Sequence, residues 1–80
     1  MQSQAFEQAI KLEERNELAQ LEAHLRFRLR DYVYGFQIVI RDGGLHLYGR
    51  THSYYGKQLA QHGVMEQSSL AIRANHIVVL

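Results

Sequence analysis

The sequence predicts an α+β domain: a three-stranded, mainly antiparallel sheet with two helices packed on one face, in the order α-β-β-α-β. Three observations predict it. The run from Ser3 to Arg30 lacks glycine and proline and is dominated by Ala, Leu, Glu, Gln and Arg, all good helix formers. Two β-rich runs, Val33–Ile40 and Leu45–Gly49, flank Asp42-Gly43-Gly44, a strong hairpin signal. A second helical stretch ending near Gln67 precedes the β-branched segment Ile72–Leu80.

The first helix has its apolar stripe in two pieces. Phe6, Ala9 and Ile10 form one; Leu18, Leu21, Leu25 and Leu29 form the other at helical spacing. Residues 18–30 are therefore expected to dock, with Ser3 as an N-cap and residues 1–17 as an acidic helical overhang or flexible tail. Strand alternation through Leu25, Phe27 and Leu29 is the rival reading, and the leucine ladder before them favours helix.

With Asp42-Gly43 as a two-residue loop, Ile40 faces Leu45, Ile38 faces Leu47 and Phe36 faces Gly49, which collects one apolar face. The opposite face then sets Val39 and Gln37 against His46 and Tyr48, and Gly35 against Arg50. Thr51 and Ser53 are alternative N-caps for the second helix, whose coherent inward face is Gly56, Leu59, Ala60, Gly63 and Val64. Each glycine costs around 1 kcal/mol of helix propensity, a cost that makes sense if the helix lies close against a sheet. The last strand is expected to point Ile77 and Val79 inward.

Composition narrows the function classes. At 80 residues the chain fits one domain, and it buries only roughly 60–65% of its unfolded surface. It has no cysteine, so neither a disulfide framework nor a thiolate ligand or nucleophile is available. With 46% apolar and 21% charged residues it reads as globular rather than disordered. The formal charge of +1 averages two unlike parts. Residues 1–22 set five glutamates against Lys11 and Arg15, whereas residues 23–80 set six arginines and Lys57 against Asp31, Asp42 and Glu66. All five histidines lie in the second part. Neither a signal peptide nor a membrane-length apolar window is evident, so a cytoplasmic, soluble protein is expected.

Three segments together resemble the BON domain, the small module named for bacterial osmotic-shock and nodulation proteins. They are Gly44-Leu45-His46-Leu47-Tyr48-Gly49, Lys57-Gln58-Leu59-Ala60-Gln61 and Asn75-His76-Ile77-Val78-Val79. In that family a glycine opens the second strand, an alanine-rich helix follows and an asparagine sits in the last strand. The resemblance covers residues 18–80 and departs from the family pattern at Arg73 and at Gln67-Ser68-Ser69. It implies two helices on one side of a three-stranded sheet and an uncovered opposite face. By strand parity that face holds Val39, His46, Tyr48, His76 and Val78, an apolar and aromatic patch of the kind that marks an interaction site.

The expected role is a non-enzymatic interaction module, acting by homo-oligomerisation or by binding a protein partner or ligand. Single-stranded RNA binding in the manner of a KH domain is the alternative, because arginines and tyrosines interleave along the chain. The chain nevertheless has neither a GxxG loop nor an RNP-like strand. The resemblance alone adds binding to a phospholipid membrane surface, and the segment with Phe6 and Ile10 is a candidate membrane or partner contact. Arg50, Lys57 and Arg73 are the candidate contacts for an anionic ligand. No catalytic residue, metal ligand or cofactor is expected: no nucleophile motif surrounds the serines, and no HxxxH or HExxH pair is present. Asp42-Gly43-Gly44 joins two strands rather than opening a helix, so it is a turn and not a phosphate loop.

Overall fold

The computed structural model describes Gln2–Leu80, with side chains from Arg15 onward. Its elements are α1 (Gln2–Arg28), β1 (Val33–Arg41), β2 (Gly44–Thr51), α2 (Tyr54–Gln67), β3 (Ile72–Asn75) and β4 (Val78–Val79). Helix α1 runs unbroken across residues 17 and 18, and Ser3 falls inside it rather than capping it. The helical reading holds through Leu25, and Leu29 falls in the turn that closes the helix, its N–H still bonded to the Leu25 carbonyl. Both leucines are buried, while Phe27 between them is exposed and lies under the Arg30 guanidinium, 4.2 Å from its ring centre. The surroundings of the acidic side chains at 7, 13 and 14, and of Phe6 and Ile10, lie outside the described residues.

Strand β2 is the centre of a mixed four-stranded sheet. The hairpin pairs β1 with β2 antiparallel, with Ile40 opposite Leu45, Ile38 opposite Leu47 and Val39 opposite His46, the register of a two-residue loop. Asp42 (φ 55°) and Gly43 (φ 74°) both adopt the left-handed conformation that a type I′ turn requires. Beyond Gln37 the expected pairing fails. Gly35 takes φ 63° and bulges out, so that Tyr34, not Gly35, faces Arg50 and Phe36 has no simple partner in Gly49. The extra residue keeps both Val33 and Phe36 on the core side, where they are 3% and 0% exposed.

The expectation of a mainly antiparallel, three-stranded sheet is corrected at the far side of β2. Helix α2 carries the chain back along the sheet, so β3 and β4 run parallel to β2. They follow one line along it, opposite Leu45–Leu47 and Arg50–Thr51, with Arg73 as the extra residue of an irregularity near Leu45. Asn75 divides them. Its Oδ1 accepts from the Ile77 N–H at 3.1 Å, and its amide donates to the Lys57 carbonyl at 3.1 Å and to Gln61 Oε1 at 3.2 Å. The asparagine thus turns the backbone locally and ties the strand to α2.

Both helices cover the same side of the sheet. The core consists of Leu25 of α1 and Leu29 in the turn after it, Val33, Phe36, Leu45 and Leu47 of the hairpin, Ala60 and Val64 of α2, and Ile77. Ile77 points inward as expected, whereas Val79 is 41% exposed at the sheet's end. Ser53 is the N-cap of α2, its hydroxyl accepting from the Gly56 N–H. Thr51 takes a different part: it is fully buried, and its hydroxyl donates to the Tyr32 carbonyl at 2.6 Å. A Cβ at Gly63 would stand 2.9 Å from Leu25, which shows how closely α2 approaches α1.

Candidate functional site

The helices leave the other side of the sheet without a second layer. Strand alternation and register place Tyr34, Gln37, Val39 and Arg41 of β1 on this outer face, beside His46, Tyr48 and Arg50 of β2. Ala74 of β3, Val78 of β4 and His76 in the break between them, against the His46 and Tyr48 rings, complete it. All five residues expected on the patch therefore share one face, but the face differs in character from the expectation. Its centre is polar and hydrogen-bonded, and the exposed valines stand to either side, Val39 on β1 and Val78 on β4.

A linked cluster occupies the centre. The Tyr48 and His76 rings stack 16° from parallel with centroids 4.8 Å apart, and the His76 and His46 rings lie 5° from parallel at 5.3 Å. Arg41 Nη2 donates to the Tyr48 hydroxyl at 3.0 Å and reaches His46 Nδ1 at 3.3 Å. His76 Nε2 lies 3.0 Å from the same Nδ1. A guanidinium can only donate, so His46 Nδ1 is the acceptor and His46 carries its proton on Nε2. That Nε2 is buried and has no protein partner. His46 is only 8% exposed although it stands on the outer face, because its neighbours' side chains close over it.

Arginines frame the rings. Arg41 and Arg73 stand at the hairpin end, where Arg73 lies across Gly44 and leaves no room for a side chain there. Arg50 sits at the other end of β2, between Tyr34 and Val78. Tyr34, beside it, meets the His52 ring edge to face at 5.7 Å. The anionic-ligand residues expected from sequence are thus divided: Arg50 and Arg73 share the outer face, whereas Lys57 belongs to α2 in the helix layer. Arg41, which sequence reasoning left out of that set, is the arginine that holds the cluster together. Its position two residues after Val39 on the same strand face was the available signal.

The remaining carboxylates with described side chains stand elsewhere, Glu17 and Glu22 on α1, Asp31 in the turn after it and Glu66 on α2; only Asp42, in the hairpin turn, borders this face. Arg26 is engaged at the sheet edge, donating to the Phe36 carbonyl and to Glu22. Among the described residues no serine or threonine hydroxyl hydrogen-bonds a histidine, and no group of three or more His, Asp or Glu is placed to hold a metal ion. A second surface, unforeseen from sequence, is a shallow hollow on the outer side of α2 with Tyr54, Tyr55 and Met65 exposed along it. No described helix is long and apolar enough to cross a membrane. No family model matches the chain, and comparison with curated proteins and with solved structures finds no match.

Proposed function

We propose that this protein is a non-enzymatic interaction module, of the BON type its sequence resembles, that holds an anionic partner on the outer face of its sheet. The observation that supports the reading is the content of that one surface: Arg41, Arg50 and Arg73 around the Tyr48, His76 and His46 rings, bordered by a single described carboxylate. Clustered positive charge with low local competition favours a partner of opposite sign. Self-association is the less favoured form of the reading. Face-to-face pairing of two copies would oppose their arginines, and like charges set against each other cost several kcal/mol. Pairing through the β1 edge meets Glu22 and Arg26, which already occupy it.

Heparin affinity chromatography tests the reading. The wild-type chain is expected to be retained, and an Arg50→Ala/Arg73→Ala variant to elute at clearly lower salt than an Arg28→Ala control, whose lost charge lies on exposed α1 surface. Equal elution of the two variants overturns the outer face as the anion-binding surface. Light scattering closes the self-association route: a wild-type dimer that Tyr48→Glu converts to monomer would make a second copy the occupant instead.

A further inference from the structure

The geometry points to single-stranded nucleic acid as the anionic partner, a conclusion that rests on the outer face being the binding surface. Cations alone would suit any polyanion. The distinguishing feature is their order along β2. Arg41 and Arg73 stand at the hairpin end, the half-buried Tyr48 ring and the exposed His76 ring follow, and Arg50 comes next, with Tyr34 beside it on β1 and His52 beyond. Cations at both ends of one row therefore bracket a pair of rings, with a further aromatic contact beside the last cation. A flexible strand of nucleotides offers the matching alternation of phosphates and flat bases, and bases gain from stacking on aromatic rings whatever their sequence.

Dimensions agree with this occupant. The seven residues from Gly44 to Arg50 span about 20 Å at the rise of a β-strand. That length suits two or three bases laid along a sheet, the number that sheet-face RNA readers stack. A duplex fits less well, because its bases are stacked on one another and offer their faces to nothing else. Arg26 of α1 and Arg30 of the turn after it are not part of this row: Arg26 is bound to the Phe36 carbonyl and Glu22, and Arg30 covers Phe27.

Fluorescence anisotropy with a short labelled oligouridine or oligothymidine strand tests the assignment. The strand is expected to bind at low salt. Three phosphate contacts predict a log–log salt slope near −2, which is about 20-fold weaker binding for a fourfold rise in salt. His76→Ala should weaken binding roughly 5- to 100-fold through lost stacking. Arg50→Ala, at an exposed position, should weaken it and flatten the salt slope by about 0.7, and Arg28→Ala should leave it unchanged. Absence of binding at low salt overturns the assignment, as does binding that His76→Ala and Arg50→Ala leave intact. So does binding of anionic phospholipid vesicles in place of the strand. If heparin retention still depends on Arg50 and Arg73 while the strand does not bind, only the nucleic-acid assignment falls. If neither polyanion responds to these arginines, the outer-face reading falls with it.

Discussion

Gly56 shows how a single residue can contradict its local propensity for a tertiary reason. Glycine costs about 1 kcal/mol relative to alanine inside a helix, so Gly56→Ala in α2 should stabilise an isolated segment. In the folded chain a Cβ at this position would run into Thr51 Oγ1 and stand 3.2 Å from the Tyr32 carbonyl. Thr51 is fully buried and uses that hydroxyl to hold the Tyr32 carbonyl at 2.6 Å, so it has no room to yield without breaking the bond. Gly56→Ala is therefore expected to destabilise the domain, by about 1–3 kcal/mol, the cost of leaving a buried polar group unpaired. Urea denaturation measures it, and a gain in stability would show that α2 can move off β2 at little cost. Asn75 is a second case. Its three side-chain hydrogen bonds explain why an asparagine, a poor strand former, ends β3 at the break before β4.

At the scale of elements, the exposed edge of β1 is the feature most in need of protection. A nine-residue edge strand presents unpaired N–H and C=O groups to any passing chain. Here α1 covers the middle of that edge with a matched pair: Glu22 Oε2 accepts from the Ile38 N–H at 2.8 Å, and Arg26 donates to the Phe36 carbonyl at 2.9 and 3.1 Å. The two side chains also bridge each other at 2.7 Å, one helical turn apart. As a surface ion pair this contact would be worth little; as an edge guard it satisfies backbone groups that would otherwise recruit a strand. Glu22→Ala should leave the fold intact, speed hydrogen exchange of the Ile38 amide at least several-fold and promote association at high concentration. Exchange measured by NMR together with light scattering checks this, and an Ile38 amide equally protected in both forms would refute the guarding role.

At the scale of the molecule, the core is small and one residue dominates it. Phe36 is fully buried between the two helices and the central strand, and it is the largest of the fully buried side chains. Phe→Ala in a core costs about 3–5 kcal/mol, and native domains hold only about 5–15 kcal/mol in all. In a chain of 80 residues with no disulfide the lower part of that range is the fitting comparison. Phe36→Ala is expected to abolish or severely weaken cooperative unfolding at room temperature. Circular dichroism during thermal melting shows it directly, and a melting temperature within a few degrees of wild type would mean that the core repacks around the loss.

Amino-acid order alone determined the elements whose evidence is local. The leucine ladder of α1, the Asp42-Gly43 turn, the hairpin register beside it, the length of α2 and its inward set, of which Gly56, Ala60 and Val64 are buried and Leu59 and Gly63 half-buried, all depend on residues within a few turns of each other. The outer-face membership of Val39, His46, Tyr48, His76 and Val78 was equally legible, because strand parity propagates along a fixed register. Contacts distant in sequence were not legible. The bulge at Gly35 depends on Val33 and Phe36 both reaching the core, and the parallel course of β3 and β4 depends on where α2 returns the chain. The conversion of an apolar patch into a cationic ring cluster depends on Arg41 meeting His46 and Tyr48 across the hairpin while His76 arrives from the break between β3 and β4, 30 residues beyond His46. Such meetings are decided by the packing of whole elements on one core, which no local pattern encodes.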